Sequence, residues 1–134
     1  MRVGVLAERT GCHIETVRYY ESIGLLGKPA RTAGGYRAYG EADVERLAFI
    51  MRCRGLGFSV EETRSLVDLT ADTCQPCAAV DRLVEHHLAD IERRQRELEA
   101  MAATLRRSLA ACGRTTVDRC AVTDELRQVG TPLA

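Results

Sequence analysis

No apolar run in this 134-residue sequence is long enough for a bilayer-spanning helix, so no membrane span is expected. There is no net charge either, with 19 Lys plus Arg against 19 Asp plus Glu, and no internal repeat or low-complexity tract. With 46% hydrophobic and 28% charged residues the composition is that of a globular protein, which argues against disorder. The opening Met1-Arg2-Val3-Gly4-Val5-Leu6-Ala7-Glu8-Arg9 meets charge before it builds the apolar stretch of a secretory signal, so a cytoplasmic protein with reduced thiols is expected. The length suits one compact domain or two small ones. No Ser/His/Asp arrangement, paired carboxylates or phosphate loop stands out, so an enzyme is not expected.

Aromatic residues are scarce, but their placement is informative. All four tyrosines, Tyr19, Tyr20, Tyr36 and Tyr39, fall in the first 39 residues. There Arg2, Arg9, Arg18, Lys28, Arg31 and Arg37 outnumber Glu8, Glu15 and Glu21. Tyrosine beside arginine suggests contact with nucleic-acid phosphates, although a solvated face with partly buried rings would look much the same.

The first elements read as two short helices around Thr10-Gly11-Cys12, the second ending at Gly24, a layout that can present one helix to a major groove. Arg31-Thr32-Ala33-Gly34-Gly35-Tyr36-Arg37 reads as a tight hairpin, because consecutive glycines permit the positive φ its turn requires. Val44, Leu47, Ala48 and Met51 give Glu41–Gly55 a helical period, and Ser59 with Glu62 forms a capping box opening a helix to about Leu69. After a polar break at Thr70–Pro76, Ala78–Leu109 contains no Pro and no Gly, which predicts one helix of roughly 48 Å. Gly113 is its expected stop, and Ala121–Val129 is expected to form a last turn or two of helix.

Val84, Ile91, Leu98, Leu105 and Cys112 recur every seventh residue, with His87, Arg94, Met101 and Ser108 between them as an imperfect second seam. A lone charged helix of this length cannot bury such a stripe, so a coiled-coil partner is expected, most simply a second copy. Packing against the chain's own first half is the alternative.

The first 70 residues resemble the DNA-binding domain of the MerR family of bacterial transcription regulators. The resemblance rests on Val3-Gly4-Val5-Leu6-Ala7, Glu15-Thr16-Val17-Arg18-Tyr19-Tyr20-Glu21, Gly24-Leu25-Leu26, the Arg31–Tyr39 hairpin, Ala42-Asp43-Val44-Glu45-Arg46-Leu47 and Leu56-Gly57-Phe58. It implies a mainly α fold: a winged helix-turn-helix over 1–70, a linker and dimerisation helix over 71–111 forming an antiparallel coiled coil, and a metal-binding loop with C-terminal segment over 112–134. It places Thr16, Arg18 and Tyr19 on the recognition helix, and has Tyr20, Arg31, Tyr36, Arg37 and Tyr39 hold the sugar-phosphate backbone. Arg54 resembles the basic contact of a second wing. Such contacts position a protein more than they read sequence, so specificity is expected partly from DNA shape. The implied partners are double-stranded promoter DNA, RNA polymerase and a second copy of the chain. The implied action is a bound dimer that turns from repressor to activator by bending and untwisting the promoter.

Six cysteines in a cytosolic chain point to metal binding, redox sensing or burial rather than a disulfide framework. Cys77 precedes the long helix, Cys112 ends it and Cys120 follows, which is similar to the metal-sensing branch of the family. There a cysteine at the helix start of one protomer joins two loop cysteines of the other, giving two sites per dimer. A thiolate at a helix N-terminus meets unpaired N–H groups, and thiolates select soft ions. Copper(I)-sensing members typically carry Ser where Cys77 stands, so Cys77 favours a divalent ion: mercury first, then cadmium or lead, then zinc. Cys74 is a secondary candidate, from its Cys74-x2-Cys77 spacing. Cys12 and Cys53 are expected to be small buried side chains. His87 is expected on the seam, and His86 at the surface or behind a ligand. A thiol or iron–sulfur redox regulator on the same scaffold, or a copper(I) sensor, is the competing reading.

Overall fold

The structure, a computed structural model, describes all residues except 28, 29, 32, 36, 75, 112–119 and 129–134, and omits the side chains of Ala30, Arg37 and Ala121. Tyr36, Cys112 and the expected stop at Gly113 therefore lie outside the described residues.

Two compact units meet between Leu83 and Val84. The first begins with α1 (Val3–Thr10), which buries Leu6 and Ala7. Gly11 follows in the left-handed region at φ 72°, where a side chain would be strained, and the next N–H, that of Cys12, reaches back to the Ala7 carbonyl at 3.1 Å. His13 is extended and starts α2 (Ile14–Ser22), whose inner face buries Val17, Tyr20 and Glu21. Helix, three-residue turn and helix thus form as the glycine at residue 11 predicts.

Beyond α2 the chain drops Leu25 and Leu26 into the core. Arginines from later helices hold this segment: Arg64 Nη2 donates to the Ile23 carbonyl at 2.8 Å and Arg46 Nε to that of Leu25 at 3.1 Å. Strands β1 (Ala30–Arg31) and β2 (Arg37–Ala38) pair antiparallel, Ala30 with Ala38 and Arg31 with Arg37, and Gly35 takes the positive φ expected of the turn. The Tyr39 N–H donates to the Met1 carbonyl at 2.7 Å, tying the hairpin to the start of α1.

Helix α3 (Glu41–Gly55) matches the expected span and buries Leu47, Ile50 and Cys53. Helix α4 (Val60–Ala71) opens on the expected capping box, with Ser59 Oγ accepting from the Glu62 N–H at 3.0 Å and Glu62 Oε1 from the Ser59 N–H at 2.9 Å. Leu6, Val17, Leu25, Leu26, Leu47 and Ile50 are fully buried at the centre. Truncating one of the leucines or Ile50 to alanine costs about 2–5 kcal/mol, so this cluster fixes the angle between α1 and α2.

Helix α5 (Ala78–Ala111) runs 34 residues without interruption, two residues past the predicted end. Its first turn joins the first unit, because Val80 and Leu83 pack against Cys53, Phe58 and Leu66. In the second unit, α6 (Ala121–Arg127) lies along α5, where Met101, Leu105, Val122 and Leu126 line an apolar cavity of about 200 Å³ and the Ser108 hydroxyl bonds the Glu125 carboxylate. Of the apolar row of α5, Val84, Leu98 and Leu105 remain exposed and Ile91 is half-buried. The second row differs in part from expectation: His87 and Ser108 are buried within the chain, and the exposed apolar neighbours of the first row are Leu88, Met101 and Leu109. Ser108 is drawn inwards by its bond to α6.

Candidate DNA interface and thiol sites

Because α2 buries Val17, Tyr20 and Glu21, helical periodicity leaves Arg18 and Tyr19 on its outer side, where both are exposed, and Thr16 at the edge, half-buried. The Tyr19 and Tyr20 rings lie 5.8 Å apart with a tilt of 45°. On the hairpin Arg31 is exposed, and its Nη1 closes the turn by donating to the Gly35 carbonyl at 3.1 Å. The register puts Arg31 and Arg37 at one cross-strand position. At the end of α3, Arg54 Nη1 donates to the Phe58 carbonyl at 2.7 Å, so its guanidinium is anchored at one corner.

Two of the tyrosines are deeply set. Tyr20 is only 7% exposed. Tyr39 is 3% exposed and donates its hydroxyl to Glu21 Oε2 at 2.6 Å. Tyr39 therefore braces α2 from within through Glu21, a positioning residue that no local sequence signal marks. Arg46 and Arg64 are basic residues given over to carbonyls at the end of α2.

The thiols divide by burial. Cys12 and Cys53 are buried as expected, and burial pushes both above the usual thiol range, with nearby Arg52 pulling Cys53 partly back. They are poor ligands because they resist ionisation. Cys77 is exposed and stands immediately ahead of α5, its carbonyl accepting the Asp81 N–H at 2.8 Å. Cys74 is exposed too, its N–H held by Asp72 Oδ1 at 3.0 Å. Cys120 is half-buried at the N-cap of α6. Among the described residues, no three His, Cys, Asp or Glu side chains converge as a metal site within one chain. Among them, too, no helix is long and apolar enough to cross a membrane.

A family profile described as MerR HTH family regulatory protein matches residues 1–69, and one described as MerR, DNA binding matches residues 44–108. The chain belongs to the MerR family. This MerR protein is 41% identical over 126 residues to the HTH-type transcriptional regulator HmrR of Rhizobium leguminosarum bv. viciae, covering 94% of the chain and 97% of that relative. It is 38% identical over 112 residues to the mercuric resistance operon regulatory protein of Pseudomonas fluorescens, covering 84% and 76%. Among solved structures it is similar to the transcription regulator PbrR691 from Ralstonia metallidurans CH34 in complex with lead(II), with a TM-score of 0.84, 36% identity and coverage of 94% and 98%. The MerR fold thus accounts for the winged helix-turn-helix and the long helix, and the chain is a DNA-binding transcription regulator.

Proposed function

We propose that the chain is a metal-responsive regulator that binds promoter DNA as an antiparallel homodimer and activates transcription, with RNA polymerase, by distorting the promoter when a soft divalent ion is bound. Cys77 of one protomer, with Cys112 and Cys120 of the partner subunit, would hold the ion. Thr16, Arg18 and Tyr19 would meet the groove, and Arg31, Tyr36, Arg37 and Arg54, with the edge of Tyr20, would meet phosphates.

The observation that carries this reading is the contrast among the thiols. Cys77 is open at the start of α5 and Cys120 is partly open at the start of α6, while Cys12 and Cys53 are buried in the first unit. Cys77 and Cys112 flank α5, a helix of about 50 Å by its rise, and an antiparallel second copy would bring such ends together. The exposed row Val84, Leu98 and Leu105 supplies the surface for that copy. The donor set fits the proposed ion because thiolates prefer thiophilic metals, and relatives named for mercuric resistance and solved with lead(II) support the same class. Mercury is favoured, then cadmium or lead, then zinc.

The test is a promoter–reporter assay with mercury, cadmium, lead, zinc and copper salts. Induction led by mercury, cadmium or lead is expected. Induction by copper alone overturns the divalent assignment. Response to peroxide without metal favours the thiol or iron–sulfur redox reading.

A further inference from the structure

One exposed thiol stands outside the set assigned to the ion. Cys74 lies three residues before Cys77, both are free and exposed, and both belong to the first unit. The backbone pins each of them. The Cys74 N–H is held within a turn by Asp72 Oδ1 at 3.0 Å, and the Cys77 carbonyl takes the Asp81 N–H at 2.8 Å where α5 begins. In a Cys-x2-Cys pair with both thiols accessible, one sulfur can attack the other once that one is oxidised. The other described thiols are less open: Cys12 and Cys53 are buried in the core of the first unit, and Cys120 is half-buried in the second.

We propose that Cys74 and Cys77 form a reversible oxidation site, which closes to a disulfide under hydroperoxides and so withdraws Cys77 from the metal ion. First a hydroperoxide oxidises one thiol to its sulfenic acid and is itself reduced to the alcohol, or to water if it is hydrogen peroxide. The other thiol then attacks that sulfur, the S–S bond forms and water leaves. The two thiols give up two electrons, and the hydroperoxide takes them as its O–O bond breaks. The proposal deepens the metal-sensing reading above and rests on it, since the disulfide reaches transcription only through the loss of Cys77 as a ligand. A sulfur held in a disulfide is no thiolate donor, so metal and oxidant compete for one atom and each excludes the other. Cys74 makes the oxidation reversible. Without it the Cys77 sulfenic acid has no neighbour to trap it and goes on to the sulfinic acid, which thiols do not reduce.

The test treats the reduced full chain with hydrogen peroxide and measures mercury charge-transfer absorption before and after dithiothreitol. Cleavage after Arg64 and Arg82 leaves Cys74 and Cys77 as the only cysteines of one peptide, residues 65–82, in which a disulfide registers as the loss of two hydrogens. Wild type is expected to yield that oxidised peptide, to lose most of its absorption and to regain it with dithiothreitol. Mercury added before the peroxide should keep both thiols reduced. Cys74→Ser should bind mercury like the wild type when reduced, yet fail to recover after peroxide. A wild-type peptide that stays reduced under peroxide, or a Cys74→Ser variant that recovers as fully as wild type, overturns the proposal. A Cys77→Ser variant with undiminished mercury absorption overturns the ligand assignment and the competition with it, whereas the mapped disulfide tests the oxidation site independently.

Discussion

The Tyr39 hydroxyl donates to Glu21 Oε2 at 2.6 Å inside the first unit, so the residue that ends the hairpin grips α2. Tyr39→Phe keeps the ring and removes one donor from a buried carboxylate, which costs about 1–3 kcal/mol. A lower urea midpoint is expected, with the slope of the transition unchanged. An unaltered midpoint would show that the bond contributes nothing to stability.

Arg9 of α1 and Glu41 of α3 form a bidentate pair at the surface, with Arg9 Nη2 donating to Glu41 Oε2 at 3.0 Å. The hydrogen bond from Arg9, with the attraction of its charge, holds the Glu41 carboxyl below the usual carboxylate range, and the same bond raises Arg9. A carboxyl depressed on folding contributes stability above its unfolded pKa, near 4.3, and loses that contribution as pH falls through its lower folded value. Glu41→Gln should therefore narrow the stability gap between neutral and acidic solution, on the acid side of about pH 4.5. Both groups are exposed, so the effect is small and should fade with added salt. Thermal melts across pH at low and high salt measure it, and an effect centred near neutrality would point to another group.

Local signals carried most of the first unit. Gly11 and Gly35 announce backbone that must turn left-handed, and the Ser59–Glu62 box marks the first turn of α4. The deep setting of Tyr39 was not legible, because its partner Glu21 lies 18 residues away and no spacing encodes that bond. The bracing by Arg46 and Arg64 leaves no local signal either, because their carbonyl partners sit 21 and 41 residues away. On α5 the choice between His87 and Leu88 could not come from periodicity alone, since both stand within one turn of Val84 and Ile91. The thiol set rests on the resemblance, because a site shared between two copies would leave no converging cluster in either one.

Cys77→Ser, Cys112→Ser and Cys120→Ser should each abolish metal-induced transcription while DNA affinity stays within about twofold of wild type, since the side chains proposed to meet DNA are left unchanged. Sulfur-to-metal charge-transfer absorption on titration with mercury or cadmium gives an independent measure, and should weaken in all three. Cys12→Ser and Cys53→Ser should leave that absorption intact and lower stability instead. Full response from all three of the first set would show the site lies elsewhere.

The exposed row on α5 offers a test that separates folding from assembly. Leu98 is 63% exposed and Leu105 51%, so replacing either with a charged residue removes little packing within one chain. In a seam between two helices the same replacement buries an unpaired charge, which costs several kcal/mol and appears twice in a symmetric dimer. Leu98→Glu should therefore keep its helical circular dichroism but sediment as a monomer at concentrations where wild type is a dimer. Loss of the dimer should also remove metal-induced absorption, because the proposed ligands come from two chains. A Leu98→Glu protein that remains dimeric and binds metal normally would place the interface on another face.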